Sequence, residues 1–382
     1  MKKIILFTLL LFSTVVWGYC TYADDYSDKI VFEGFGKYVD MSTSQQIKNI
    51  INEEEIETLK IVVVGKTDFK YDVGLVENLT HEEADKIQLK RRTAGASYYK
   101  EFNQKLMESL PQANYLNIYV SKYFPQITFD MKSEEVLSSK STLLNTMAKN
   151  DLIETIYVQK DQKITEHVGH SMDLMAVTPE IYGGTLTGQG IKVGIIEGGI
   201  VDVDNTNFEN ISVVCRDEWY FVEIESEHTT AMASCIGGKE GIAKKASIYS
   251  VQAFGNPSSE LDWLIENGVN IINCSYGYDD ADGIYSSHSA TYDYLVWTYG
   301  ITVIAAAGNE SSSESDFYLS NPGLAYNAIT VGGADTSVVP WNGTCHEEVT
   351  DVDKPTIVNA ASDIDFKNAM SGSGTSYSCA FT

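Results

Sequence analysis

Positive charge is scarce in this chain of 382 residues, which has 27 lysines and arginines against 53 aspartates and glutamates and a formal net charge of -26. A surface this acidic repels phosphate backbones, which excludes nucleic acid as a partner. Long apolar runs are also missing after residue 23, so no later segment is expected to span a membrane. Apolar residues still make up 43% of the chain, which is enough for a packed core.

Cysteine is rarer still, with six residues and no C-x-x-C pair, so the ligand spacing of a zinc site is missing. The cysteines that follow the N-terminal leader are Cys215, Cys235, Cys274, Cys345 and Cys379. An odd number leaves at least one free thiol. Cys215 and Cys345 form the one pair that we consider for a disulfide bridge. The other three lie in small or apolar runs and are predicted to be buried.

The N-terminus has the features of a secretory signal. A basic "MKK" precedes the apolar run "IILFTLLLFSTVVW", and the small residue Ala23 stands before two aspartates. A membrane anchor is the alternative, but the run is too short to span a bilayer comfortably. Residues 1–23 are therefore predicted to be a cleaved signal peptide, and the mature protein is predicted to be secreted, either free or associated with the cell surface.

Two halves of different composition follow this leader. Residues 24–165 are rich in lysine, glutamate and other polar residues, whereas glycine, alanine, serine and isoleucine dominate from about residue 175. The segment between them, "QKDQKITEHVGHSM", has no apolar period and is predicted to be a linker. In the first half, residues 58–158 have the order β-α-β-β-α-β of a ferredoxin-like, split βαβ fold. Its long helix, residues 81–110, contains Gly95, where it is expected to break.

Short apolar runs without strict alternation recur in the second half. They are "IKVGII", "ASIYSVQAF", "VNIINCSYG", "ITVIAAAG" and "NAITVGG". Such runs are typical of strands that are buried on both faces. Helical segments such as "SSELDWLIENG" and "ATYDYLVWTYG" separate them. The alternation predicts an α/β fold with a parallel sheet and helices on both faces, in which the loops at the carboxyl ends of the strands carry the chemistry.

Four polar side chains stand at positions suited to chemistry. Glu197 ends the strand "IKVGII", His228 opens the helical run "HTTAMA", Asn309 follows "VIAAAG", and Ser376 lies in "GSGTSYSCA". Each of them alone fits a turn, a cap or a loop equally well. Together they follow the chain order acid, histidine, serine of a subtilisin-type triad. No G-x-S-x-G motif is present, which disfavours an α/β-hydrolase.

Residues 186–382 resemble the catalytic domain of the subtilases, the subtilisin-like serine peptidases. "GQGIKVGIIEGGI" is similar to the acid motif of that family, "HTTAMA" to its histidine motif, "VNIINCSYG" to its substrate-binding strand, "AAAGNE" to its oxyanion loop, and "GSGTSYSCA" to its serine motif. The resemblance extends to the first half, which looks like the inhibitory propeptide of the family. An unrelated binding domain is the alternative for that half.

The resemblance implies a domain order and a set of roles. It implies a propeptide in residues 24–165 and a peptidase domain in residues 166–382. Glu197, His228 and Ser376 are expected to form the triad, with Asn309 in the oxyanion hole. The residues expected to bind substrate are Ser275, Tyr276, Gly277, Ala306 and Gly308. The implied activity is that of a serine endopeptidase acting on polypeptides, made as a precursor that cuts itself and is inhibited by its own propeptide.

No cofactor is expected for this chemistry, although structural calcium is compatible with the family. The acidic loop "GYDDADG" offers carboxylates for it, but such a loop is more often simply solvated. The sequence also departs from the family pattern. Glu197 replaces an aspartate, Thr229 a glycine, and Ala380 stands near the position of a proline. The chain ends six residues after Ser376, so we expect it to be truncated. Two alternatives therefore stay open, a catalytically impaired pseudopeptidase that acts as a binding protein and an incomplete gene fragment.

Overall fold

The computed structural model describes residues 29–33, 51, 56–71, 80–136, 142–159, 164–166, 186–216, 225–239, 241–253, 257–278, 283–309, 318–335, 337–346, 353–362, 364 and 372–382. The predicted signal peptide and the aspartates of the acidic loop lie outside these residues. The strands are β1 Ile30–Glu33, β2 Thr58–Gly65, β3 Leu116–Val120, β4 Gln126–Lys132, β5 Ile153–Gln159, β6 Ile164–Glu166, β7 Lys192–Glu197, β8 Val213–Cys215, β9 Ser247–Gln252, β10 Ile271–Cys274, β11 Tyr276–Tyr278, β12 Thr302–Ala306, β13 Ile329–Ala334 and β14 Ile357–Ala360. The helices are α1 His81–Ser109, α2 Ser133–Val136, α3 Thr142–Ala148, α4 Glu227–Gly237, α5 Ser258–Glu266, α6 Ser287–Tyr299 and α7 Thr375–Ala380, with a 3-10 turn at Thr206–Phe208.

The first half contains a five-stranded sheet with the order β1-β5-β2-β4-β3. Strand β2 is antiparallel to both β4 and β5, and β3 is antiparallel to β4. Without β1, this is the strand order of a split βαβ unit, which is the pattern that the sequence predicts for residues 58–158. Strand β1 extends the sheet by pairing in parallel with β5. The core of this half comes from one face of the sheet and includes Leu59, Ile61, Val63 and Phe129, all fully buried.

Helix α1 runs from His81 to Ser109 without interruption, so the break expected at Gly95 is wrong. Thr80 caps its N-terminus in a capping box with Glu83, which fixes the start of the helix. Gly95 has a different purpose, because a Cβ atom there would lie 2.6 Å from Oη of Tyr299 in α6. The glycine therefore lets the first half approach the second half closely.

A seven-stranded sheet forms the second half, in the order β14-β13-β12-β10-β7-β9-β8. Every neighbouring pair in it is parallel. Helices α5 and α6 cover one face, where Leu264 and Leu295 pack against the strands. Helices α4 and α7 cover the other face, where Met232 and Tyr377 are buried. The predicted fold class, a parallel sheet with helices on both faces, is confirmed.

Several local expectations are corrected by the structure. The segment expected as a linker contains the strand β6. The bridge between Cys215 and Cys345 is not formed, since neither of these cysteines is in a disulfide in the structure. None of the helices in the described part of the chain has the length and the apolar character needed to cross a membrane.

Candidate functional site

The centre of the site is the carboxyl end of β7, which lies in the middle of the parallel sheet between β10 and β9. Glu197 is the last residue of this strand and its side chain is fully buried. Its Oε1 accepts a hydrogen bond of 3.0 Å from the backbone N–H of Ser275. Its Oε2 lies 3.4 Å from Nδ1 of His228, which is within ion-pair distance but longer than a hydrogen bond. The glutamate thus connects the histidine to the neighbouring strand.

His228 is held at the start of helix α4, whose N-cap residue is Ser226. The Oγ atom of Ser226 accepts a hydrogen bond from the N–H of Thr229, which satisfies one of the free donors at this helix end. Thr229 in turn donates its hydroxyl proton to the carbonyl of Gly199 over 3.2 Å. Thr229, which stands where the family pattern has a glycine, therefore connects the histidine helix to the loop that follows Glu197.

Ser376 is the second residue of helix α7 and is fully buried. Its Oγ donates a hydrogen bond of 2.8 Å to the carbonyl of Ser275. In return, the Ser275 hydroxyl donates to the carbonyl of Ser376 over 2.8 Å. Ser275 thus contacts both Glu197 and Ser376, and its backbone holds the acid and the serine at the same end of the sheet. This second function of Ser275 is one that the sequence motif does not indicate.

Asn309 follows β12 and is oriented by the residue just before Ser376. Its Oδ1 accepts hydrogen bonds of 2.9 Å from both the N–H and the hydroxyl of Thr375. Because these donors fix the oxygen side of the amide, Nδ2 is the side of Asn309 that is left to donate elsewhere. The sequence analysis did not predict this role of Thr375. Its position directly before the candidate nucleophile was the one signal for it.

Gly308 makes the turn that brings Asn309 to this position. Its φ of 109° lies in a region that side chains disfavour, and a Cβ would lie 3.2 Å from the sulfur of Cys345. Its N–H donates to the Thr375 hydroxyl over 3.2 Å. Ala306, which ends β12, is fully buried next to this turn. The two residues predicted to flank a substrate pocket therefore lie beside Asn309 and Thr375.

Strand β11 carries Tyr276 and Gly277, and all three of its residues are buried. Here it pairs with β6 in antiparallel fashion, with Tyr276 opposite Glu166, Gly277 opposite Thr165 and Tyr278 opposite Ile164. The predicted substrate-binding strand thus holds an extended segment of the same chain.

The other acid near the strand end does not take part in this cluster. The backbone N–H of Asp202 donates to Thr230, and its Oδ1 accepts from the N–H of Asp204. Asp202 therefore closes its own turn, whereas Glu197 is the carboxylate within reach of the histidine. Among the residues that the structure describes, no group of three or more acidic, histidine or cysteine side chains is arranged to hold a metal ion. Structural calcium stays a prediction, because Asp279, Asp280 and Asp282 lie outside those residues.

Comparison with known proteins finds similarity to serine proteases. The cuticle-degrading serine protease of Arthrobotrys oligospora is 28% identical over 221 residues, which cover 53% of this chain and 52% of that protein. Subtilisin E of Bacillus subtilis is 29% identical over 180 residues, 42% of this chain and 45% of the relative. The chain thus spans about half the length of these curated relatives. Among solved structures, the prenylagaramide maturation protease PagA aligns at 23% identity with a TM-score of 0.43, over 53% of this chain and 75% of that one.

The family itself is shown by a match to more than half of the chain. The model of the Subtilase family (Peptidase S8) matches residues 159–382, which include every strand of the parallel sheet and all the residues of the site described above. The family predicted from the motifs is therefore confirmed, and the chain belongs to the Subtilase family.

Proposed function

We propose that this protein is the precursor of a secreted serine endopeptidase. Ser376 is the nucleophile, His228 is the general base and acid, Glu197 orients the histidine, and Asn309 stabilises the oxyanion. The observation that carries this proposal is a continuous series of contacts, from Oγ of Ser376 through the backbone of Ser275 to Glu197 and from Glu197 to His228.

The proposed reaction assigns one step to each of these side chains. Glu197 faces Nδ1 of the imidazole, so Nδ1 carries the proton and Nε2 is the basic nitrogen. When Oγ of Ser376 attacks the carbonyl carbon of a peptide, Nε2 of His228 takes the hydroxyl proton and later gives it to the leaving amine. The charge on the carbonyl oxygen is stabilised by Nδ2 of Asn309 and by backbone N–H at the start of α7. Water then releases the acyl group from Ser376 by the same steps.

The first half of the chain acts as an inhibitor of the second half in this proposal. A carboxylate of α5, Asp262, accepts hydrogen bonds from the N–H groups of Lys122 at 2.7 Å and Tyr123 at 3.2 Å, and from the hydroxyls of Tyr119 and Ser121. In the opposite direction, Glu33 of β1 accepts from the N–H and the hydroxyl of Ser287 at the start of α6. Two helices of the second half are thus each fixed to the first half through a buried or half-buried carboxylate.

Strand β6 follows the proposed inhibitor in the chain and pairs with β11, the predicted substrate-binding strand. This pairing supports self-cleavage. We expect the cut between about residues 160 and 178, and most of this window lies outside the described residues. The register of β6 against β11 narrows this window to one bond. Because β6 is antiparallel to β11 and Glu166 pairs with Tyr276, the chain runs toward Ser275 as it leaves β6. Oγ of Ser376 touches the Ser275 carbonyl, so we propose that the bond after His167 is the one cut.

Expression of the full chain tests both parts of this proposal. We expect a mature N-terminus that begins at Val168, read by N-terminal sequencing and intact mass. Ser376→Ala should leave the chain uncut. A cut elsewhere in the window would contradict the register but keep self-processing, whereas normal processing of Ser376→Ala would contradict self-processing itself.

A pseudopeptidase that acts as a binding protein is the second candidate. The replacement of the family aspartate by Glu197 and of the glycine by Thr229 favours it. A fluorophosphonate probe separates the two functions, because it labels only a serine whose hydroxyl is activated. We expect labelling of the processed chain and none of Ser376→Ala. A processed chain that stays unlabelled would favour the binding protein.

Secretion rests on the signal-type N-terminus, residues 1–23. The mature protein should appear in the medium of expressing cells and lack these residues. Retention of the full leader in a cell-bound protein would favour a membrane anchor.

A further inference from the structure

A closed series of buried hydrogen bonds joins helix α7 to the end of strand β10. The thiol of Cys379 in α7 donates to Oδ1 of Asn273 over 3.1 Å, and Nδ2 of Asn273 donates to Oγ of Ser275 over 2.9 Å. The Ser275 hydroxyl then donates to the carbonyl of Ser376 over 2.8 Å. Because Ser376 and Cys379 are both in α7, the series begins and ends on the same helix and forms a ring. No more than 2% of the surface of any residue in this ring is exposed.

The direction of each hydrogen bond in the ring is fixed. Ser275 uses its one hydroxyl proton on the carbonyl of Ser376, so it can only accept from Asn273. The amide nitrogen of Asn273 must therefore face Ser275, which leaves the amide oxygen to accept from Cys379. Burial raises the pKa of the Cys379 thiol, so the thiol keeps the proton that it donates. Hydrogen bonds that run in one direction polarise and strengthen one another.

The ring fixes the backbone that connects the serine to the acid of the site. Ser275 accepts the hydroxyl proton of Ser376 at its carbonyl and donates from its N–H to Glu197, so a tilt of Ser275 moves one group relative to the other. Helix α7 has six residues, and a helix this short depends on contacts with the rest of the fold. We infer that Asn273 and Cys379 are positioning residues for Ser376, an inference that rests on the proposed peptidase function. Both act on the serine through Ser275 and the backbone of α7.

Cys379→Ala and Cys379→Ser in the full chain test this inference, with a synthetic peptide of residues 160–178 as substrate. Alanine removes the donor to Asn273, and it should lower kcat about tenfold or more with KM within about twofold, since a small misplacement of a reacting group can cost 10²-fold. Serine keeps a donor at this position, so its kcat should stay within about threefold of the parent value. The rate at which a fluorophosphonate labels Ser376 should fall and recover in parallel, because this small probe does not need the peptide-binding strand.

Ser378→Ala is the matched control, because Ser378 also joins α7 to the sheet. Its Oγ lies 3.0 Å from the carbonyls of both Asn359 and Ala360. In the uncut Ser376→Ala chain, Ser378→Ala and Cys379→Ala should lower Tm by similar amounts, about 2 to 4 °C. In the active chain, Ser378→Ala should keep the parent kcat. An equal loss of kcat in both variants would mean that general weakening of α7 explains the effect, and the positioning role would be wrong.

Asn273→Ala opens the ring at its centre and should lower kcat by about 10²-fold, because the Ser275 hydroxyl loses the donor that orients it. Adding Cys379→Ala to this variant should then cost little more, since the ring is already open. Additive losses would show that the two residues act independently, which contradicts the ring. If Asn273→Ala does not fold, the two Cys379 variants decide.

The outcomes separate this inference from the function on which it rests. An active parent overturns the positioning role alone if Cys379→Ala keeps full kcat, or if Cys379→Ser loses as much as Cys379→Ala. A parent chain that neither cuts itself nor cleaves the peptide contradicts the proposed function, and the inference falls with it.

Discussion

At the scale of single residues, the unusual feature of the site is the length of its acid. A glutamate reaches one methylene farther than the aspartate that the family pattern calls for, and the structure accommodates it at the end of β7. The N–H of Ser275 fixes one carboxylate oxygen, which turns the other one toward His228. Thr229 and Gln252 hold the carbonyls of Gly199 and Gly198, so the turn after the glutamate is fixed from both sides.

Glu197→Gln should therefore keep the fold and lower kcat by up to about 10⁴-fold, because the amide no longer orients and stabilises the charged imidazole. Glu197→Asp should not restore a better enzyme, since the shorter side chain leaves a gap toward His228. The measurement is kcat with a peptide substrate, and Asp202→Asn is the matched control, because that acid only closes its own turn. Full activity of Glu197→Gln together with a loss in Asp202→Asn would transfer the role to Asp202.

Asn309→Ala should lower kcat by roughly 10² to 10³-fold with little change in KM, the cost of losing one donor to the oxyanion. The change also removes the acceptor for Thr375, so a second variant is needed. Asn309→Asp keeps an oxygen for Thr375 but cannot donate, and it should lose a similar share of kcat. A change confined to KM would make Asn309 a structural turn residue.

At the scale of elements, the close contact between α1 and α6 decides how the two halves fit. Tyr299 of α6 lies against Gly95 and donates its hydroxyl proton to the carbonyl of Tyr123. The tyrosine is almost fully buried and hydrogen-bonded, so it cannot easily move aside for a larger residue.

Gly95→Ala should destabilise the full chain by about 1 kcal/mol. The gain in helix propensity of about 1 kcal/mol is smaller than the cost of overpacking against Tyr299, roughly 1 to 3 kcal/mol. Denaturant unfolding of the uncut Ser376→Ala chain gives the difference. In a Tyr299→Phe background the same change should cost less, because the nearest atom, Oη, is gone. A stabilised Gly95→Ala variant with Tyr299 intact would mean that the glycine is not needed for this contact.

The sequence predicts the long buried strands of the second half but not the short strands at the sheet edges. The apolar runs of the second half, such as "IKVGII", predict its strands, because strands buried on both faces have such runs. Strands β1 and β6 were missed, since three or four residues at a sheet edge carry no period of their own. The four residues of the site could be named from motifs, but not the contacts of Thr375 and Thr229. Those contacts join segments that are distant in the chain, and no local pattern records them.

At the scale of the whole molecule, the attachment of the first half depends on Asp262. Burial raises the pKa of this carboxyl to about 6, against the hydrogen bonds from Tyr119 and the N–H of Lys122, which lower it. A carboxyl whose pKa is higher in the folded chain binds its proton more tightly there. Its contribution to stability is thus complete below the ordinary pKa of about 4 and is lost as the pH rises through about 6.

The uncut Ser376→Ala chain should accordingly lose about 2 kcal/mol from this group between pH 4 and pH 6. Asp262→Asn should remove that part of the pH dependence, whereas Asp204→Asn, at an exposed carboxylate, should leave it unchanged. Denaturant unfolding at several pH values between these limits measures it. Parallel curves for the parent and Asp262→Asn would show that this carboxyl is not what couples the attachment to pH.

Strand β6 pairs with β11 while both belong to the same chain, and this affects how external peptides compete for β11. A tethered segment competes with any free peptide at an effective concentration on the order of millimolar. Before the chain is cut, external peptides of the same affinity as β6 therefore compete poorly for β11 below that concentration. One cut turns this competition into an ordinary bimolecular equilibrium that dilution weakens. The onset of activity should then depend on protein concentration, with dilute samples becoming active sooner after the cut than concentrated ones.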